Sequence, residues 1–502
     1  MLHLSRAVRI AVAVAFIIAA AACRSSGAPA SATAVALPPT RAAAALSEWL
    51  RVYNAGREDS LIAFARRAYA PSELASRPAD VIVHGHRLWR QNYGTFQLLR
   101  VDSSSAYAID GFVRAGATGA IGKVYVEVDS APPHGITGVW LIPFARPPSE
   151  LVSRAARDEA TIIRELQEYA SRLAAADLFS GSIAVRRGDV ELLSSSYGLA
   201  RRDPAEPNTP DMRFELASLS KLFTAVAIAQ LVERGKLRFD MTVAEALPAY
   251  PNRSTAQRIT LHHLLTHTSG LPDYYRNGKI RQYESSLQSL TDYWPAFAMD
   301  SLWSTPGQRH DYSNSNYIVL GAIVEHHAGM PFEEYAQRQI FVPAGMTNAC
   351  YCEPGSPRRA TPYSRYTSGF GPSRRPVPDR WIEVPTGARR PGAPAGGGIS
   401  TADDIARFGS SFLTDKLLSA EMRRRMLMPH VSMGDGHKGY GFDVHDWFGT
   451  RFVGHGGNFW GVMSQVDIYP GTGHVVVVLS NNDASGGEAI RHWTRRAFSG
   501  VR

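Results

Sequence analysis

The segment Phe214-Glu-Leu-Ala-Ser218-Leu-Ser-Lys221-Leu-Phe-Thr-Ala constrains this chain more than any other stretch. It puts a serine and a lysine three residues apart at the head of a helix. Leu222, Val226, Ala229 and Val232 continue that helix's apolar face, and Gly235 ends it. A spacing of three stacks Ser218 and Lys221 on one face, one turn apart. A serine hydroxyl is a poor nucleophile until a neighbouring base takes its proton. Lysine can be that base only where burial beside other polar groups makes its ammonium less stable. The helix N-terminus adds backbone N–H groups and a positive dipole end where an oxyanion would form. On an exposed helix the same spacing would mean an N-cap serine and a surface lysine. Here the flanks are apolar, and two later motifs favour the chemical reading. Ser220 sits directly before Lys221, points to another face and is read as a neighbour.

The later motifs stand in the order this chemistry wants. Pro306-Gly-Gln-Arg-His-Asp-Tyr312-Ser-Asn314 contains Tyr-x-Asn, and Gly454-His455-Gly456-Gly457-Asn458 contains a His-x-Gly triplet. Ser-x-x-Lys, Tyr-x-Asn and Lys/His-x-Gly together resemble the three motifs of class C β-lactamases, the related D,D-peptidases and their esterase relatives. The stretches ITLHHLLTHTSGLP (259–272), PGQRHDYSNSNYIVLG (306–321) and GGGISTADDIARF (396–408) are similar to that serine hydrolase family's connecting signatures. The resemblance spans roughly residues 160–502 and implies a β-lactamase-like α+β catalytic domain, an antiparallel sheet flanked by helices with a helical subdomain inserted. It implies that Ser218 is acylated, that Lys221 and Tyr312 share a proton network, and that Tyr312 acts as base and then protonates the leaving group. Asn314 would hold the substrate carbonyl or the lysine. The backbone N–H groups of Ser218 and Asn458, beside His455 and Gly457, would form the oxyanion hole. The third motif departs from the β-lactamase form, which is mostly Lys-Thr-Gly. A histidine, neutral for much of the time near pH 7, replaces a fixed cation, and the central hydroxyl is gone. Both changes favour an esterase or peptidase over an antibiotic-hydrolysing enzyme.

At 502 residues the chain is too long for one ordinary core, so two domains plus accessory segments are expected. Arg6 and Arg9 precede a short apolar run over 10–22, the pattern of a secretory signal peptide. Ala20-Ala21-Ala22-Cys23 is similar to a lipoprotein cleavage box, although Leu is expected where Ala20 stands. Either Cys23 carries a lipid that tethers the protein to a membrane, or plain signal-peptidase cleavage occurs nearby. In both cases the protein is exported, to the periplasm or to the surface of a bacterial membrane. Residues 23–43 are Ala/Ser/Pro-rich and read as a tether. A helix is expected from Leu46, with Trp49, Leu50 and Tyr53 on its apolar face, until Gly56. Strands are expected at 96–101, 107–113, 123–129 and 139–142, giving a small α+β domain over 44–145 that resembles the nuclear-transport-factor-like cone fold. A linker over 146–160 leads to the catalytic domain, 161–502. There a long helix around 162–173, strands at 181–185, 190–195, 462–469 and 475–479, and a closing helix at 488–498 are expected.

The formal charge is +9, but its arginines are scattered among acidic residues, with no dense basic tract, which argues against nucleic-acid binding. Cys350 and Cys352 are two apart, a bridge would close a very small ring, and free thiols are expected. His263 and His267 are four apart but lack an acidic or Cys partner, so a core or capping role is expected, with no metal and no cofactor. Eight arginines between Cys350 and Gly396 (358, 359, 365, 374, 375, 380, 389, 390) read as a solvated loop. The substrate class is a small-molecule or peptide ester or amide. The competing readings are a catalytically silent cell-envelope protein that binds peptidoglycan or a protein partner, and metal-dependent hydrolysis through the histidines.

Overall fold

Thr40 starts the first helix, because its hydroxyl accepts the Ala43 N–H; helix α1 (Arg41–Ala55) then runs until Gly56 turns left-handed at φ 71°. It therefore begins before Leu46, where apolar spacing alone had put its start. The computed structural model describes residues 35–152, 157–282, 286–352, 356–368, 375–385, 393–434 and 436–499. The expected signal peptide, Cys23 and residues 24–34 of the tether lie outside the described residues. Leu46, Trp49 and Tyr53 of α1 are buried with residues of α2 (Glu58–Ala68) and α3 (Ala79–Tyr93). These helices cover an antiparallel meander of β1 (Phe96–Ser104), β2 (Ala108–Ala115), β3 (Ile121–Val128) and β4 (Ile136–Ile142). In β3, Val124, Val126 and Val128 are buried while Lys123, Tyr125 and Glu127 are half-buried, the two-residue period of a sheet with one face in a core.

Helix α4 (Glu159–Ala175), capped by Asp158, leads into the larger part. Its centre is an eight-stranded antiparallel sheet. From one edge the order is Val431–Ser432, His437–Lys438, β7 (Asp443–Trp447), β8 (Thr450–Phe459), β9 (Val462–Tyr469), β10 (His474–Ser480), β5 (Gly181–Arg187) and β6 (Val190–Tyr197). Every residue of β9 and β10 is buried, because both sheet faces are covered. Ile405 and Phe408 of α7 (Ala402–Phe412) join the core on one face. Leu166 of α4 and Phe498 of α8 (Ser485–Phe498) join that on the other.

Between strands β6 and β7 lie α5 (Lys221–Glu233) and α6 (Ser315–Ala328). Neither has a polar stripe. Lys221 to Leu231 are all buried in α5, and Ser315 to Val324 in α6, as expected of helices apolar all round. The Ser-x-x-Lys and Tyr-x-Asn motifs lie at the N-terminal ends of these two core helices, and the His-x-Gly triplet lies on β8.

The expectation of free cysteines is overturned: Cys350 and Cys352 form a disulfide, with Cα atoms 5.3 Å apart. Cys350 is held by reciprocal backbone hydrogen bonds to Ile399 (3.0 and 2.9 Å), and in extended chain residues i and i+2 share a face. Part of the arginine-rich stretch departs from the solvated loop expected. Arg359 forms a buried ion pair with Glu215, whereas Arg358, which pairs with Asp211 at 2.9 Å, stays exposed, as do Arg375 and Arg380; Arg374, Arg389 and Arg390 lie outside the described residues.

Arg495 of α8 donates twice to Asp467 of β9 (2.8 Å each) at a buried position. Removing one partner of a buried pair strands the other charge, so Asp467→Asn should lower the unfolding free energy by about 3–5 kcal/mol. The urea midpoint of the variant against the parent checks this.

Candidate active site

Ser218 lies in a single tight turn, Ala217–Ser220, that runs straight into α5. Ala217 before it adopts φ 45°, a left-handed conformation that disfavours a residue with a Cβ and persists where the surroundings hold it. Ser220 turns away, and its hydroxyl accepts the Gly398 N–H at 3.2 Å.

The fully buried Lys221 donates from Nζ to Ser218 Oγ (3.0 Å), Asn314 Oδ1 (2.8 Å) and the Ala395 carbonyl. Burial drives its pKa well below the usual lysine value; Asp273 opposes the shift and Lys438 adds to it. Tyr312 Oη donates to Ser218 Oγ at 2.8 Å, and its ring stacks on His267 with centroids 4.3 Å apart. Burial pushes the Tyr312 phenol above its ordinary pKa, and its hydrogen bond to Ser218 lowers it in part. Lys221 Nζ also lies 5.0 Å from the centre of the Tyr312 ring and 5.5 Å from that of Tyr317.

Asn314 was expected to hold either a substrate carbonyl or the lysine. Its oxygen faces the lysine, while its N–H and Nδ2 both donate to Asp273 Oδ2 (2.6 and 2.8 Å). Asp273 is buried and also accepts the N–H groups of Tyr275 and Arg276 at 2.9 Å each. Strand β8 closes the other side. At Gly457 an added Cβ would lie 2.2 Å from Leu216 O and 2.9 Å from Ser218 N, so only glycine lets this strand touch the nucleophile turn. Asn458 follows, with its side-chain amide 3.5 Å from Glu488 Oε1. His455 is buried with Nδ1 2.5 Å from the Gly456 carbonyl, and burial lowers its pKa to about 3.

All the residues singled out in the three motifs thus converge, and three neighbours join them that the motifs do not contain. Asp273 follows Leu271-Pro272 in a loop, with no periodicity to mark it. Lys438 is buried and pairs with Asp443 at 2.7 Å. Burial alone would raise the Asp443 carboxyl, but Lys438 and His455 hold it below the usual range. His267 fills the space behind Tyr312, where its Nδ1 accepts the Ser313 N–H (3.2 Å), and His263 caps its own helix by accepting the Thr260 N–H (3.2 Å).

A nucleophile turn on a core helix, an antiparallel sheet at its side and a buried Ser–Lys–Tyr cluster define a serine hydrolase. The family model described as Beta-lactamase matches residues 161–500, and the chain belongs to that family. It is similar to penicillin-binding protein 4* of Bacillus subtilis (strain 168), 29% identical over 331 residues that make up 64% of this chain and 72% of the relative. It is also similar to the esterase EstB of Burkholderia gladioli, 30% identical over 329 residues, 58% of this chain and 80% of that one. Among solved structures, a penicillin binding protein from Bacillus halodurans superposes with a TM-score of 0.54 at 29% identity, over 68% of this chain and 99% of that one.

Two outcomes are expected. Asp273→Ala should lower kcat/KM by about a hundredfold, since Asn314 loses the anchor that aims it at Lys221, and also lower stability by about 1–3 kcal/mol or more, since four N–H donors lose their buried acceptor; steady-state kinetics beside thermal melts check this. The second concerns His455, which protonates near pH 6.5 when unfolded and near 3 when folded. The unfolded chain therefore binds more protons between those values, and stability falls as pH drops through that window. His455→Asn removes that contribution, so the stability gap between parent and variant should shrink by about 2 to 3 kcal/mol from pH 7 to pH 4.5 in urea titrations.

Proposed function

We propose that this protein hydrolyses an ester or amide through an acyl-enzyme on Ser218. The observation that carries the reading is that Ser218 Oγ has Lys221 Nζ at 3.0 Å on one side and Tyr312 Oη at 2.8 Å on the other. Burial lowers the lysine's proton affinity and raises the phenol's, so the two groups divide the work. Neutral Lys221 takes the hydroxyl proton as Oγ bonds to the carbonyl carbon. The carbonyl electron pair moves onto oxygen, where the N–H groups of Ser218 and Asn458 would receive it. When the intermediate collapses, Tyr312 gives its proton to the departing oxygen or nitrogen and regains one through the Lys221 side of the network. Water then cleaves the acyl-enzyme by the same steps in reverse.

At the third motif His455 is neutral and Lys438 is matched by Asp443, so no unmatched cation there favours a substrate carboxylate. Uncharged esters and amides suit this site better than β-lactams. The relatives named above include penicillin-binding proteins and an esterase, which is consistent with either bond. We further propose export to the cell envelope with Cys23 as a lipid anchor; the basic and apolar N-terminal text supports this, and the Cys350–Cys352 disulfide fits an oxidising compartment.

Protein lacking residues 1–34, treated with a fluorophosphonate, should gain one adduct by intact mass. Ser218→Ala should gain none, and Tyr312→Phe should cut ester and amide turnover by about a hundredfold or more. Folded protein that takes no label would remove the hydrolase mechanism and favour an envelope-binding role.

A further inference from the structure

Two exposed aromatic rings meet beside the site, one from each wall. Tyr275 is 43% exposed and Phe459 37%, yet their ring centroids are 6.1 Å apart with planes at 48°. Both positions are held by the catalytic framework. The Tyr275 N–H donates to Asp273 Oδ1, while the other oxygen of that carboxylate anchors Asn314, the partner of Lys221. Beneath it lies the buried ring of Tyr274, 4.6 Å away. Phe459 ends β8 two residues after Gly457, the glycine that packs against Ser218 N. The turn that follows is fixed in turn. Trp460 Nε1 donates to the Tyr366 carbonyl at 2.9 Å, and a Cβ at Gly461 would meet Tyr363 N at 2.9 Å. Next to Tyr366, Arg365 donates to Gln91 of α3 at 3.3 Å, so the N-terminal α+β part braces this wall.

Single apolar side chains on a surface are ordinary, but a ring pair from separate segments, each two residues from a residue that shapes the site (Asp273 and Gly457), is not. The charged side chains around it are engaged in ion pairs. Arg276 and Arg309 share Asp311 (2.7 and 3.4 Å), Arg276 covers the Trp303 ring at 4.6 Å, and Arg491 pairs with Glu488 at 2.5 Å. The aromatic faces themselves select by apolar contact.

We propose that Tyr275 and Phe459 form an aromatic slot that takes an apolar moiety, an alkyl chain or an aryl ring, of an uncharged ester or amide substrate. The slot rests on the acyl-transfer reading above and deepens it by naming what the substrate carries. Each methylene drawn from water into the slot is expected to raise kcat/KM by about fourfold until the slot is full.

The test uses two substrate series, 4-nitrophenyl esters from acetate to octanoate and acetate esters from methyl to benzyl. In at least one series the parent should prefer the larger member by tenfold or more in kcat/KM. Tyr275→Ala and Phe459→Ala should each cut that preference at least fivefold, and Tyr275→Phe should keep it. No preference in the parent, or a preference that survives both alanine variants, overturns the slot. Labelling by a small fluorophosphonate is read on the same samples. A labelled parent without size preference removes the slot alone, whereas a folded parent that takes no label removes the slot together with the acyl-transfer reading.

Discussion

A lysine nitrogen without solvent organises this structure. Lys221 heads a helix buried all round, where a polar group left without partners costs several kcal/mol. That penalty is tolerable only if each hydrogen-bonding position of the nitrogen finds a partner. The three partners come from three distant segments: the turn that holds Ser218, the start of α6 and the stretch before Gly396. Satisfying one buried amine therefore fixes how these segments meet. The stretch at 394–395 is pinned a second time, since the Pro394 carbonyl accepts the Thr224 hydroxyl of α5 at 2.7 Å. Helix α6 accommodates it at Gly321, where a Cβ would lie 2.2 Å from Pro394 Cγ. The geometry around Ser218 and the packing of the subdomain are the same constraint seen twice.

The second constraint is backbone approach. Strand β8 carries Gly454, Gly456 and Gly457, and at Gly454 a Cβ would sit 1.9 Å from Val466 O. Glycines let the strand press against both its neighbour and the nucleophile turn, and they also hide it from a sequence reading. Strand β10 was visible because its unbroken apolar run, Val475 to Leu479, marks a doubly covered strand, whereas in β9 Ser464, Gln465 and Asp467 interrupt the apolar residues and weaken that signal. Helices α1, α4 and α8 were visible because their buried residues recur at helical spacing. Strands β7 and β8 carry neither signal and were not expected as strands; only the triplet at 455–457 singled out part of β8.

The site divides in the same way. Ser218, Lys221, Tyr312 and Asn314 were legible because local spacing and chain order carry information about their chemistry. Asp273 and Lys438 were not. Each is a charged residue in irregular or short-strand chain, and its place depends on a partner that folding alone brings near, Asn314 in one case and the His455 surroundings in the other. The disulfide was missed for the opposite reason. Short ring size argued against it, while the backbone pairing of Cys350 with Ile399 that aligns the two side chains cannot be read from spacing.

The exchange of the third-motif cation for His455 has a consequence for how the proton moves. A fixed positive charge at that position would favour a Tyr312 phenolate and make the tyrosine the better base. Here the nearby cation Lys438 is matched by Asp443, and the imidazoles of His267 and His455 are kept neutral by burial. Nothing in this surrounding repays the desolvation of a phenolate, and the phenol stays protonated. Burial acts on Lys221 in the reverse sense, because there it is the protonated form that carries the charge. One environment, low in dielectric and close to charge balance, thus lowers the lysine's proton affinity and raises the tyrosine's. In the mechanism proposed above, the serine between them then has an acceptor for its proton on one side and a donor for the leaving group on the other.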